Sequence, residues 1–209
     1  MEWLIGGGLI MIPLLACSLL SLAVIIDRLV SLRKHKILRP ELINSITAVG
    51  GPKDIPYLSS KCDEIHGAFT NIIRRAFLNQ HLTREEKLVD IQATGRHEAQ
   101  VLEHKLIILE IIATITPLLG LLGTVMGMSE VFDVISDIGL GHTKEFSSGI
   151  GKALRTTIFG LGVAIPTLIA HSSFVKRIDN FILEMEKYTT LLLNALYSHK
   201  NPNTRNEEK

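Results

Sequence analysis

The sequence predicts an all-α integral membrane protein with three transmembrane helices, the second and third of them long and extending into a cytoplasmic helical region. Three observations carry this prediction. Residues 4–26, 111–129 and 156–175 are runs of about 20 residues each without Asp, Glu, Lys or Arg. A helix needs about 20 apolar residues to cross a hydrocarbon core of roughly 30 Å. Lys and Arg follow the first and third runs closely, and an apolar stripe at steps of three and four leads into the second run.

The first element is a transmembrane helix over residues 1–26. Leu14, Leu15, Ala16 and Cys17 loosely resemble a lipoprotein cleavage box, but Glu2 is the only charge before them and the apolar run continues about nine residues further. A cleaved signal has a basic start and a shorter apolar stretch, so the segment is expected to stay in place. Trp3 suits an interfacial anchor. Cys17 lies inside the span and Cys62 in a polar region, a placement that suggests free thiols.

Residues 27–105 form the expected cytoplasmic region. Arg28, Arg33, Lys34, Lys36 and Arg39 follow the first span, and Lys176 and Arg177 follow the third. Residues 131–146 hold Lys144 with Asp133, Asp137 and Glu145. By the positive-inside rule the N-terminus and the segment 137–146 face the periplasm, and 27–105 and 176–209 face the cytoplasm. Gly50, Gly51 and Pro52 mark a loop. Ile65, Phe69, Ile72, Ile73, Ala76 and Phe77 recur at helical spacing over about residues 59–78. Thr83 and Glu86 form a capping box. Leu88, Ile91, Gly95, Ala99, Leu102, Leu106 and Leu109 then make the stripe of a long packed helix. One continuous helix over about residues 84–135 is expected; the alternative is a separate helix and a turn near His104. Residues 106–136 are transmembrane helix two, 147–175 transmembrane helix three, and 176–209 a cytoplasmic helix and polar tail.

Function classes narrow from the same residues. A net charge of about +1 gives no reason to expect nucleic-acid binding. His97 and His104 are seven residues apart, whereas the zincin pattern needs a second His four residues after the first, where Val101 stands. No metal, no cofactor and no catalytic constellation is expected.

Helices two and three read as an antiparallel hairpin, in which residues whose numbers add to a constant share a depth. A constant of about 281–283 pairs Glu130 with Lys152, Thr124 with Thr157, Pro117 with Pro166 and Glu110 with His171. The charged levels are then about 30 Å apart, one at each membrane face, with Glu130 and Lys152 forming an outer ion pair. Gly120, Gly123 and Gly127 on helix two, and Thr156, Gly160 and Ala164 on helix three, are small-residue ridges for close packing in lipid. They serve a seam within the hairpin, a seam between subunits, or both. Thr114, Thr116, Thr124, Thr156 and Thr157 offer a polar-lined path, although a lone Thr in a membrane helix often only bonds back to its own backbone.

Residues 113–128, reading ATITPLLGLLGTVMGM, followed by Phe132, resemble the second-span signature of the MotA/TolQ/ExbB proton-channel family. Gly149 to Leu154, Thr157, Gly160, Leu161 and Val163 to Pro166 are similar to its third-span signature, and Asp27-Arg28 to its acidic-Arg pair. The resemblance implies an ExbB/TolQ-like inner-membrane stator subunit that forms a homo-oligomer, a pentamer, around a single-span ExbD- or TolR-like partner carrying a membrane Asp. Proton flow would then be passed to a TonB- or TolA-like envelope protein. The pore-facing threonines of the family fall on Thr124 and Thr157. Members often have Glu where this chain has Lys152, so a proton-relay role there does not carry over. A non-conducting oligomeric scaffold, or a stator for Tol-Pal-type envelope maintenance or motility, is the alternative.

Overall fold

The computed structural model describes residues 8–48, 55–78, 82–139 and 143–198. Every element in them is helical: α1 (Met11–Ser31), α2 (Lys34–Ile37), α3 (Pro40–Thr47), α4 (Ile55–Glu64), α5 (Ala68–Phe77), α6 (Arg84–Glu103), a 3₁₀ turn at His104–Leu106, α7 (Ile107–Ile138) and α8 (Thr143–Ser198). Three of the helical stretches are long and apolar enough to cross a membrane. Trp3, the Gly50-Gly51-Pro52 loop and the polar tail lie outside the described residues.

The chain divides into two units. The first holds residues 1–29 and 105–174. Its α7–α8 seam is small and hydroxylic, with Thr116, Gly120, Gly123 and Gly127 on α7 meeting Ala153, Thr156, Thr157 and Gly160 on α8, while Leu106, Leu109, Ile112, Val163 and Phe174 are also buried. Its outer face is apolar, with Leu118, Leu121, Val125, Ile158, Ile165, Leu168 and Ile169 all exposed. In water such a surface would drive aggregation, whereas in lipid it is the solvated side and small residues let helices pack. Pro117 and Pro166 sit inside α7 and α8. Each lacks an N–H for the ladder. Beside them, Thr116 Oγ1 donates to the Ile112 carbonyl at 2.8 Å and Thr167 Oγ1 to the Val163 carbonyl at 2.7 Å. These are i−4 back-bonds of the threonines themselves; the carbonyls that the prolines leave without an N–H donor are those of Ala113 and Gly162. On α1, Met11, Leu14, Ser21 and Arg28 are the buried stripe. Arg28, only 5% exposed, donates from Nε and Nη2 to Asp27 Oδ2 at 3.1 and 2.6 Å.

The second unit holds residues 30–104 and 175–209. Its core is apolar: Leu42, Leu58, Cys62, Phe69, Ile72, Ile73, Ala76, Ile91, Ile178 and Met185. Phe69 meets Tyr188 edge-on at 6.2 Å. Gly95 is buried where α6 passes Ile72. Polar groups tie the helices. Lys87 Nζ donates to the Ala76 carbonyl at 2.6 Å, the Tyr197 hydroxyl donates to the Leu82 carbonyl at 2.8 Å, and Lys34 pairs with Glu184 at 2.7 Å. Thr83 caps α6 in a reciprocal box with Glu86, and the hydrogen bonds from Thr83 hold that carboxyl below its ordinary pKa.

Three details differ from the sequence expectation. The stretch 84–135 is helical throughout, yet it is not one α-helix, because the 3₁₀ turn at His104–Leu106 separates α6 from α7. A 3₁₀ turn advances about 20° more per residue than an α-helix. The pattern over 59–78 is broken at Ile65–Gly67, with Gly67 as N-cap of α5. Glycine is among the poorest helix formers, so the break falls there. Cys62 is not in a polar setting but buried, at 1% exposure.

Candidate functional site

The seam between α7 and α8 is built by residues too small to keep the two backbones apart. A Cβ placed on Gly160 would stand 2.6 Å from the Thr116 carbonyl oxygen, and one on Gly127 would stand 2.7 Å from Ala153 Cβ. A Cβ on Gly123 would overlap the Thr156 side chain, and one on Gly120 would lie 3.0 Å from the Thr157 Cα. The register of the antiparallel pair follows: Gly127 opposite Ala153, Gly123 opposite Thr156, and Gly120 opposite Gly160. The same register brings Lys152 Nζ to 3.6 Å from Glu130 Oε2 near the turn end, where both side chains are partly solvated.

Close approach makes one hydrogen-bonded node possible. Thr157 Oγ1 donates to the Gly120 carbonyl oxygen at 3.0 Å, and Thr156 Oγ1, whose one proton is shared with a nearer carbonyl of its own helix, lies 3.1 Å from the same oxygen. Thr156, fully buried, also reaches the Ala153 carbonyl at 2.6 Å. Thr124 instead donates to the Leu121 carbonyl of its own helix at 2.7 Å. Thr124 and Thr157 are both half-buried at the edge of the seam. The structure does not join them by a hydrogen bond, nor does it join Glu110 to His171. Pro117 is half-buried and Pro166 exposed. His97 on α6 and His104 in the 3₁₀ turn are exposed.

Two features escaped the sequence. The Gly120 carbonyl as a shared acceptor had no signal beyond adjacent Thr156-Thr157 facing a glycine ridge. The tight crossing of Thr116 and Gly160 required the register to within a residue or two.

The seam's chemistry is restricted. Between Glu110 and Glu130 on α7, and between Lys152 and His171 on α8, Arg155 is the sole ionisable residue. Hydroxyls can donate and accept hydrogen bonds and order water, but they do not titrate near neutral pH, and arginine keeps its proton. This segment can guide a proton or hydrogen-bond a carboxyl; it has no group of its own that binds and releases one.

Residues 64–187, more than half of the chain and the whole of this seam, match the model of the MotA/TolQ/ExbB proton channel family. The chain belongs to that family. It is 30% identical over 177 residues to the ExbB-like 3 biopolymer transport protein of Synechocystis sp., covering 81% of each chain. It is 39% identical over 93 residues to the biopolymer transport protein ExbB of Helicobacter pylori, covering 44% of this chain and 64% of that one. It is 31% identical over 102 residues to the Tol-Pal system protein TolQ of Haemophilus influenzae, covering 46% and 43%. Family membership and three long apolar helices make this a membrane protein.

Proposed function

We propose that the chain is the multi-span subunit of an inner-membrane stator that, with an ExbD/TolR-like single-span partner, uses the proton motive force to energise an envelope process such as TonB-dependent transport. It acts as a channel subunit and not as an enzyme. Its N-terminus is periplasmic and its C-terminus cytoplasmic, and it works as a homo-oligomer, a pentamer in this reading. Residues 27–105 and 176–209 lie in the cytoplasm, 137–146 in the periplasm.

One observation carries the reading: a membrane seam of a proton-channel family member displays threonines while providing no titrating acid. The acid then comes from the partner helix, and Thr124 and Thr157, at the edge of the seam, face it and line the path. A protonated carboxyl can donate to either hydroxyl oxygen as it stands, whereas donating to an ionised one requires the hydroxyl to turn away from the Gly120 or Leu121 carbonyl that now takes its proton. Glu130 and Lys152 close the outer end of the hairpin, and Gly120, Gly123, Gly127 and Gly160, with Pro117 and Pro166, set the helix packing that holds the threonines in place. Changing both Thr124 and Thr157 to Ala, and separately both to Val, tests this. Both variants should lose energy coupling while keeping the oligomer and its partner. Retained coupling in the Val variant would remove the hydroxyls from the mechanism.

The second reading is a non-conducting oligomeric scaffold. It is favoured by Lys152, where the family often has Glu, and by Arg155, a second positive charge nearby toward the turn end of the seam.

A further inference from the structure

Outside the seam, the second unit has a recess of about 470 Å³ between the chain that follows α1 and the middle of α8, lined by Leu32, Arg33, Lys34, His35, Arg177, Asn180, Phe181 and Glu184. Its floor is apolar, since Leu32 and Phe181 are buried. Its rim is cationic. The one carboxylate, Glu184, is already neutralised by Lys34 at 2.7 Å. Arg33 and Arg177 are exposed and have no ion-pair partner among the described residues.

Position matters as much as charge. Arg33 stands two residues beyond the end of α1 at Ser31, and Arg177 two residues beyond the uncharged run that ends at Val175. Both therefore fall where the apolar helices leave the hydrocarbon, the level of the lipid phosphates. Two guanidiniums beside a low-dielectric surface repel each other, and an anion placed between them relieves the repulsion. The guanidinium fork matches a phosphate's oxygens two at a time, and the Asn180 amide supplies a further donor.

We propose that this recess binds the phosphate head group of an anionic phospholipid, with Arg33 and Arg177 on the phosphate and Leu32 and Phe181 beneath the glycerol and upper acyl chain. Free phosphate shares the anionic chemistry, but it would make no use of the apolar floor. The inference needs only a chain seated in a membrane, so it stands or falls apart from the channel reading.

The purified full chain in neutral detergent is titrated with dihexanoyl phosphatidylglycerol, dihexanoyl phosphatidylcholine and inorganic phosphate. The glycerol lipid should bind on the order of tenfold to thirtyfold more tightly than the choline lipid, at about a factor of five per arginine. The double variant Arg33→Gln, Arg177→Gln should lose that preference. Glu184→Gln should strengthen binding by removing a negative charge, and Arg96→Gln, at an exposed arginine of α6, should leave it unchanged. Independent of any variant, phosphatidylglycerol should protect Arg33 and Arg177, but not Arg96, from phenylglyoxal on the wild-type chain. Equal binding of the two lipids, a preference that survives in the double variant, or no selective protection would overturn the proposal. Inorganic phosphate binding as tightly as the lipid would overturn the lipid assignment in favour of a free-anion site.

Discussion

Thr157 Oγ1 donates to the carbonyl oxygen of Gly120 at 3.0 Å, tying the third membrane helix to the backbone of the second. The bond exists because Gly120 has no side chain to hold Thr157 away; a Cβ there would stand 3.0 Å from the Thr157 Cα. Packing and polar chemistry are thus one feature, with the glycine ridge fixing where the threonine oxygens sit. A donated hydroxyl proton leaves the oxygen's lone pairs free to accept from a neighbour.

The seam predicts a sharp contrast between two glycines of α8. In Gly160→Ala the new methyl meets backbone atoms of α7, the Thr116 oxygen at 2.6 Å and the Gly120 Cα at 3.2 Å, which cannot rotate aside. Overpacking of this kind costs about 1–3 kcal/mol. Gly162→Ala, two residues away, meets nothing within 4 Å. The thermal midpoint of the detergent-solubilised oligomer should fall by several degrees in the first and stay level or rise in the second. Equal responses would mean that the two helices do not cross at Gly160.

Glu130 and Lys152 are 66% and 40% exposed in their side chains, so their pairing is expected to be modest, about 0.2–1 kcal/mol by the measure of solvated ion pairs. Glu130→Lys and Lys152→Glu should each weaken the oligomer by setting like charges together. The combined exchange should recover the loss. A double variant as poor as the worse single one would show that the two charges act separately.

Ser60 and Cys62 lie two residues apart on α4, one exposed and one buried. In a Cys17→Ala background, a membrane-impermeant maleimide should label Ser60→Cys only after spheroplasts are opened, and should leave native Cys62 unlabelled. Labelling of Ser60→Cys in intact spheroplasts would reverse the topology. Burial, reinforced by Asp63 and opposed by Arg74, pushes the Cys62 thiol up to about 11 from 9.0. The folded state then holds its proton where the unfolded state releases it. Stability should be unaffected below about pH 9 and fall between about pH 9 and pH 11. Denaturant titration across that window should show a smaller fall in Cys62→Ala.

Much of this molecule was legible because lipid leaves coarse marks. Uncharged runs of about 20 residues fall within the three long apolar helices, and Gly, Pro, Thr and charge positions placed the two hairpin helices to within a few residues of their register. Finer features were hidden where one residue's choice depended on tertiary partners. The break before Gly67 competes with an unbroken apolar period. A turn near His104 is the alternative that the sequence left open, since no glycine or proline marks it. Cys62 reads as polar from neighbours such as Lys61 and Asp63, yet its own direction points inward among apolar residues. The hydroxyl bonds of Thr156 and Thr157 to Gly120 depend on the rotation of two helices about their axes, which spacing alone does not set.

The central claim is that this chain supplies a path and its partner supplies the acid. The direct measurement is proton flux into liposomes under an imposed potential, with the chain alone and then with the single-span protein that co-purifies with it from native membranes. The chain alone should be tight, because its seam holds no group that binds and releases a proton, and flux should appear only with the partner. Substantial flux through the chain alone would contradict the account, since the titrating group would then have to lie within this sequence.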